Sequence, residues 1–423
     1  MKVFSPKHFA AIVGIDWADK KHDICEYNQD KQHYALSIIS SKPESIDVWA
    51  NGLKQRYPNQ QIAVGCELKK GPLIYALSKY NHLTLFPINP STVSKYRKAF
   101  SHSGAKDDPT DAKIQTEILL HNMHKLRALE PESADIRALA QLTVNRRKLV
   151  QERVRITNKM TAALKNYYPQ VIEWFTEKHT NVFIAFMQRW PTLEQAQSAR
   201  KDTLTRFFHA HHVRYQHIIE KRINAIKTSH HLTKDNGVIV PNQLLVTGLL
   251  QQLKAIVASI KEHDEHIKHY YSDCDDRMIF DSFPGAGTVF APRLLTAFGE
   301  NRERYEDASE VQRYSGIAPV LERSGNKAWT HWRYSCPKFI RQSFVEWSGE
   351  TVRYSFWAKA YYEQEKAKGK PHQTIIRCLA FKWIRILFCC WKNRKPYDET
   401  TYLNALKKRN SPLLEYAVLG EKS

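Results

Sequence analysis

Two kinds of hydrophobic patterning follow one another along the chain. Short runs rich in Val, Ile and Tyr span Phe9 to Trp17, Lys21 to Tyr27 and Gln32 to Ile39. Such runs, bounded by polar turn residues, predict three strands. Pro43 to Arg56 then predicts a helix, while Gln61 to Glu67 is nearly continuous in apolar residues, the pattern of a buried strand. Pro72 to Lys79 predicts a helix, His82 to Ile88 a strand and Ser91 to Phe100 another helix. From Ser133 to Tyr168 the period lengthens, and Ile136, Leu139, Leu142, Leu149, Val154 and Ile156 mark one face of a long helix. Asn242 to Tyr270 does the same with Leu245, Leu249, Leu253, Ile256, Ile260 and Ile267. Together the two predict an antiparallel coiled-coil arm or a plain helical bundle, since the spacing drifts between three and four.

The order β-β-β-α-β-α-β-α of the first part is that of the ribonuclease H-like α/β fold. With 423 residues there is chain enough for two or three domains. The patterning divides them into an α/β domain at 1–125, a basic helical coiled-coil region with an insert at 126–275, a mainly helical domain at 276–400 and a tail at 401–423.

Charge narrows the partner. The chain holds 64 Lys and Arg against 43 Asp and Glu, a net charge of +21. A polyanion is the natural partner, because every neutralised phosphate releases condensed counterions. The first long helix concentrates this charge: Arg137, Arg146, Arg147, Lys148, Arg153 and Arg155 are opposed within it only by Asp135 and Glu152. The insert from Gln170 to Pro241 adds FFHAHHVRYQHIIEKR, with His209, His211, His212 and His217. No cysteine pair or carboxylate pattern accompanies them, so the expectation is a basic aromatic face stacking on unpaired bases rather than a metal site. Seven cysteines without a C-x-x-C unit support neither a zinc ribbon nor a disulfide framework. The first residues carry no leader pattern, and Phe381 to Trp391 is interrupted by Lys382 and Arg385 and falls short of the ~20 apolar residues a bilayer requires. The expectation is a cytoplasmic protein with no membrane partner.

Four carboxylates punctuate the α/β domain. Asp16 ends the first strand in GIDWADKKHD and Glu67 ends the buried strand in AVGCEL. Asp108 and Asp111, in AKDDPTDAKI, stand three apart on one face of a helix start. Acidic residues in a first turn are also ordinary partners of the helix dipole. Strand-end carboxylates gather at one edge of a sheet, where they repel one another unless a cation neutralises them. Mg²⁺, or Mn²⁺ in its place, suits such hard oxygen donors.

GIDWADKKHDI, CEL and KDDPTDA together resemble the DEDD transposases of the insertion-sequence one-ten family, whose N-terminal domain is similar to the RuvC Holliday-junction resolvase. On that resemblance Asp16, Glu67, Asp108 and Asp111 take the positions of the family's metal-binding tetrad. The family tends to show Lys-Thr-Asp-x-x-Asp-Ala where this chain reads Lys106-Asp107-Asp108-Pro109-Thr110-Asp111-Ala112, so either Asp107 or Asp108 is the ligand.

Near the C-terminus, Pro284-Gly285-Ala286-Gly287 before an apolar helix resembles a helix-hairpin-helix turn, in which backbone N–H groups approach a phosphate. Gly316-Ile317-Ala318-Pro319 followed by Ser324-Gly325 is similar to the serine-bearing domain of the same family. Ser324 thereby takes the nucleophile's role, with Arg323, Lys327, Arg333, Lys338 and Arg341 available for a scissile phosphate. Ser315 and Ser335 compete with it, the latter in Ser335-Cys336-Pro337-Lys338 where relatives carry Ser-Lys-x-Gly.

The resemblance implies a transposase that acts on donor and target DNA, is guided by a non-coding RNA and works as a homo-oligomer, a dimer or tetramer, whose active site joins two subunits. The other readings are a site-specific invertase of the same build, a RuvC-type resolvase using metal-activated water, and a non-enzymatic nucleic-acid-binding protein.

Overall fold

The computed structural model describes residues 4–67, 71–100 and 108–414, of which Asp108 is described by its backbone alone. It falls into two compact units, 1–131 and 132–423.

The first unit runs β1 (Ala11–Trp17), β2 (Lys21–Asn28), β3 (His33–Ser40), α1 (Pro43–Arg56), β4 (Ile62–Cys66), α2 (Pro72–Leu77), β5 (Leu83–Pro87), α3 (Pro90–Phe100) and α4 (Asp108–Asn122). Every element expected from the patterning before residue 100 is present. The five strands form one mixed sheet in the order β3-β2-β1-β4-β5. The first three strands are antiparallel neighbours, while β4 runs parallel to β1 and β5 parallel to β4.

Side chains alternate between the two faces of a strand. Ala11, Val13 and Ile15 with Ile62, Val64 and Cys66 pack beneath α1 and α2, against Ile46, Leu53 and Leu77. Ile12, Ala63 and Phe86 lie on the other face with Val93 of α3 and Ile114, Ile118 and Leu119 of α4. Burial on both faces is why β4 reads as an unbroken apolar run. Gly14 lets α4 lie directly on β1: a Cβ there would run into the Ala112 carbonyl and come within 2.7 Å of the Thr116 amide. Thr116 Oγ1 donates to the Cys25 carbonyl at 2.9 Å and fixes the helix in register.

The second unit begins with α5 (Ala134–Tyr167). Five shorter helices follow, α6 (Gln170–Trp174), α7 (Asn181–Arg189), α8 (Leu193–Ser198), α9 (Lys201–Ala210) and α10 (Gln216–Thr228), before α11 (Asn236–Ser272). Arg146 pairs with Asp264, and Asn166 Nδ2 donates to Asn242 Oδ1 at 3.1 Å. As one number rises the other falls, so α5 and α11 form an antiparallel pair. Helix α11 is long and apolar enough, by length and composition, to cross a membrane; here it lies along α5. Val154 and Leu245, expected on the apolar seam, are exposed instead.

The insert corrects part of a second expectation: His209, His212, Tyr215 and His217 are exposed, but the paired phenylalanines are not. Phe207 and Phe208 do not offer themselves to bases: with Trp174, Phe175, Phe183, Phe186 and Trp190 they are buried in the insert's own core. Five short helices have little buried area each, and aromatic rings packed mostly edge-to-face or tilted supply it.

The chain continues through α12 (Arg277–Asp281), α13 (Gly287–Phe298), α14 (Ala308–Tyr314), β6 (Val320–Ser324), β7 (Lys327–His331), α15 (Lys338–Tyr354), α16 (Phe356–Ala367), α17 (His372–Lys392) and α18 (Glu399–Lys408). Trp347, Trp357, Trp383 and Trp391 are wholly buried at its centre, together with Ile136 and Leu139 of α5 and Ile267 of α11. The arm's base is thus part of this core. A two-stranded antiparallel hairpin, β6–β7, interrupts what the patterning gave as mainly helical.

Candidate active site

Register brings the expected carboxylates to one end of the first unit's sheet. Ile15 pairs with Cys66 across parallel strands, so Asp16 and Glu67 follow as the next residues at the same edge. Both fall on the face that α4 covers, opposite to the one holding Ile15 and Cys66. The far end of α4 reaches the short helical turn Pro6–His8 that precedes β1. Its first turn, with Asp108 and Asp111, therefore lies toward the strand ends where Asp16 and Glu67 stand.

Asp111 is buried and forms an ion pair with Arg97 of α3. Among the described residues, no three His, Cys, Asp or Glu side chains converge closely enough to hold one ion. Asp107 lies outside the described residues, as does the Asp108 side chain. As a donor set the four residues suit a hard divalent cation, being carboxylates only. Asp111 would exchange its guanidinium partner for that cation.

Asp23 is a residue that sequence reading missed. It pairs with Asp16 across the antiparallel β1–β2 ladder, so the two share a face. It is 3% exposed, and Lys21 Nζ stands 3.1 Å from Oδ2 while Oδ1 has no hydrogen-bond partner. The signal was available, since the short turn in GIDWADKKHD sets the two aspartates opposite each other.

Ser324 lies at the tip of the β6–β7 hairpin. It pairs with Lys327 across the final rung, and Gly325 and Asn326 make the turn. The positive φ of +57° at Gly325 is what a tight two-residue turn requires at its first position. Residues 321–330 are all exposed. On the face shared with Ser324, Glu322 accepts from Trp329 Nε1 at 3.1 Å and meets His331 Nε2 at 2.9 Å. His331, followed by Trp329, holds the Glu322 carboxyl below its ordinary value. The competing serines are unlike it: Ser315 is wholly buried, its Oγ donating to the Gln312 carbonyl, while Ser335 is exposed before α15.

The five cations grouped around Ser324 in the sequence are divided in space. Arg323 and Lys327 share its end of the hairpin. Arg333 is spent near the base, donating from Nε to the Ala318 carbonyl at 3.2 Å, and Arg341 Nη1 donates to the Arg333 carbonyl at 3.1 Å. At ~3.3 Å per residue, the four steps from Lys327 to His331 separate tip from base by roughly 13 Å.

At the base a cleft of about 430 Å³ is lined by Trp332, Lys338, Arg341, Gln342, Gln373 and Arg377. The guanidiniums of Arg341 and Arg377 lie 4.8 and 4.6 Å from the Trp332 ring. Three cations and no carboxylate line it, which suits an anion. Arg377 escaped sequence reading because α17 comes from far along the chain. Gly316, at φ +75°, closes against Cys336, whose Sγ a Cβ would strike.

On α5, Arg137, Lys148 and Arg155 are exposed and Arg153 half-buried. Arg155 is paired with Glu152. Arg146 is taken by Asp264 and Arg147 by Glu346, acids that only the fold brings near.

One unit carries a carboxylate-edged sheet and the other a basic helical body with an exposed serine, which together define a class of protein suited to nucleic acid. Comparison with known proteins gives this class its family. Residues 13–169 match the DEDD transposase profile of IS110, described as "Transposase", and residues 277–363 match "Transposase IS116/IS110/IS902 family". A mini-circle protein for IS117 of Streptomyces coelicolor, named as a transposase, is 26% identical over 96% of this chain and 97% of its own. The 44.8 kDa protein of insertion element IS116 from Streptomyces clavuligerus is 21% identical over 92% of this chain and 97% of its own. The chain belongs to the IS110 family of transposases.

Proposed function

We propose that this chain is the recombinase of a bacterial insertion sequence, cutting and rejoining donor and target DNA through Ser324 and the Asp16, Glu67, Asp108, Asp111 edge. The observation that carries the reading is the register that sets Asp16 and Glu67 at one edge of the sheet, on the face where α4 begins over Gly14. The strand order β3-β2-β1-β4-β5 supports a ribonuclease H-like, RuvC-like unit.

Bound there, Mg²⁺ or Mn²⁺ would supply Lewis-acid polarisation of the scissile phosphate. Asp16, Glu67, Asp108 and Asp111 would hold it, and Asp23 would add negative charge beside Asp16. Ser324 Oγ attacks phosphorus: the serine O–P bond forms, the P–O bond to the leaving strand breaks, and the serine proton passes to solvent as the leaving oxygen gains one. The phosphoserine keeps the diester's energy for rejoining, when the leaving oxygen of the new strand attacks in turn. Lys327, across the hairpin from Ser324, and Arg323 beside it bind the charge that develops on the phosphate. Lys338 and Arg341 hold the neighbouring backbone, with Arg137, Lys148, Arg153 and Arg155 along the arm.

A serine presented on an exposed hairpin suits completion of the site by the carboxylate unit of another subunit in a dimer or tetramer. With sequence left to base pairing, a structured non-coding RNA serves as guide, in the cytoplasm at the nucleoid. The test is cleavage of element-end DNA with Mg²⁺. Asp16→Asn and Asp111→Asn each remove a ligand charge at nearly constant volume and abolish cleavage while DNA binding persists. Undiminished Mg²⁺-dependent cleavage by the double variant contradicts the reading.

A further inference from the structure

A cavity of about 380 Å³ opens where the arm meets the C-terminal helices, lined by Arg146 and Arg147 of α5, Thr288, Val289 and Arg293 of α13, and Glu346 of α15. The charge inside it is unbalanced. Arg293 is 7% exposed; its Nε donates to Ser343 Oγ at 2.9 Å and its Nη1 to Glu346 Oε2 at 3.1 Å. Glu346 Oε1 also accepts from Arg147 Nη2 at 2.9 Å and Gln342 Nε2 at 2.8 Å. One carboxylate thus serves two guanidiniums. Arg293 Nη2 and Arg147 Nε are buried without a hydrogen-bond partner, each a donor that costs free energy until something accepts from it. Arg146 at the rim is paired with Asp264, and Glu350 is the cavity's second acid, 3.7 Å from Arg353. Burial holds Arg293 below the ordinary guanidinium value; Glu346 pulls it up, and Arg147 and Arg146 push it down.

The first turn of α13 faces the same space. It is a twelve-residue helix whose N-cap, Ala286, offers no side-chain acceptor, so the leading N–H groups have no cap. Gly285 at φ +68° and Gly287 at φ +47° shape the approach. Trp347 Nε1 pins the turn by donating to the Pro284 carbonyl at 3.0 Å. Thr288 and Val289 are exposed at the mouth.

We propose that this cavity is a phosphate-binding site for a nucleic-acid backbone, with the uncapped turn of α13 at its mouth and the Arg147–Glu346–Arg293 cluster as its floor. Glu346 keeps the two guanidiniums together and leaves a net positive charge for the ligand. The proposal rests on the transposase reading only for the identity of the polymer that carries the phosphate.

The test measures binding of the full chain to duplex DNA and to single-stranded RNA over a range of salt. Arg147→Gln removes one floor cation. The slope of log affinity against log salt should fall by ~0.9 if the phosphate belongs to duplex DNA, or ~0.7 if it belongs to single-stranded RNA. Thr288→Glu places an acid at the mouth. It should weaken binding to the same polymer while holding or raising the melting temperature, since a first-turn acid suits the helix dipole. Should Arg147→Gln fail to fold, Thr288→Glu decides. If the parent binds and both variants keep its affinity and slope on both polymers, this site is overturned and the functional reading stands. If the parent binds neither polymer, the functional reading itself falls.

Discussion

Ser324 and Lys327 form the last paired rung of the β6–β7 hairpin, and directly opposed residues of an antiparallel ladder share a face. The pairing sets an ammonium beside the hydroxyl proposed to attack phosphorus. Lys327→Met should therefore lower single-turnover DNA cleavage by roughly 10²–10³, the usual cost of a lost charge-stabilising donor. Both residues are exposed, so the melting temperature should hold. A Lys327→Met protein cleaving at the parent's rate removes the lysine from the site.

The close seating of α4 on β1 depends on Gly14. Gly14→Ala forces a methyl group against the Ala112 carbonyl and the Thr116 amide, both of them backbone. Denaturant unfolding should show a loss of about 1–3 kcal/mol, the range for overpacking. Gly52, half-buried in α1, has open space around its Cβ position, and Gly52→Ala should be neutral or stabilising.

Acid should loosen the first unit through His22. This residue is 3% exposed, and burial holds its imidazole below the ordinary value despite the raising effect of the Lys21 backbone and Asp23. The fold favours the neutral ring, whose Nδ1 accepts from the Ala18 amide. Its contribution is complete above about pH 6.5, the unfolded value, and is lost as pH falls through the lower folded value. Melting temperatures at about pH 7.5 and about pH 5.5 should therefore fall less for His22→Phe than for the parent. Equal falls would show that the fold does not hold His22 below its unfolded value.

Guidance by RNA makes a prediction about the purified protein. The sequence carries no helix-turn-helix or zinc-finger pattern of the kind that reads a major groove alone. The chain isolated from its host should carry a discrete structured RNA. Stripping it should abolish site-specific recombination and leave salt-sensitive, non-specific DNA binding. Site-specific recombination by RNA-free protein would favour a direct-reading invertase.

Patterning made the α/β unit legible almost to the residue, because its strands are bounded by turns and buried on one or both faces. The end-of-strand positions of Asp16 and Glu67 follow from that alone. What local pattern cannot carry is partnership across the chain. Arg146 and Arg147 read as free cations because Asp264 and Glu346 lie on other helices. Arg377 joins Trp332 only through tertiary packing, and Phe207 and Phe208 turned inward because the insert builds its own core. The β6–β7 hairpin was legible in principle: VLERSGNKAWTH carries a Ser-Gly-Asn turn between β-forming residues, a signal obscured by the helical runs around it.

The identity of the nucleophile decides between strand transfer and hydrolysis. On a suicide DNA substrate whose leaving strand dissociates, with Mg²⁺ present, the parent protein should become covalently joined to DNA in a complex that survives denaturation, with the phosphate mapped to Ser324. Ser324→Ala should form none, while Ser335→Ala still does. Normal cleavage by Ser324→Ala without a covalent complex would contradict the account and assign the attack to water, as in a resolvase.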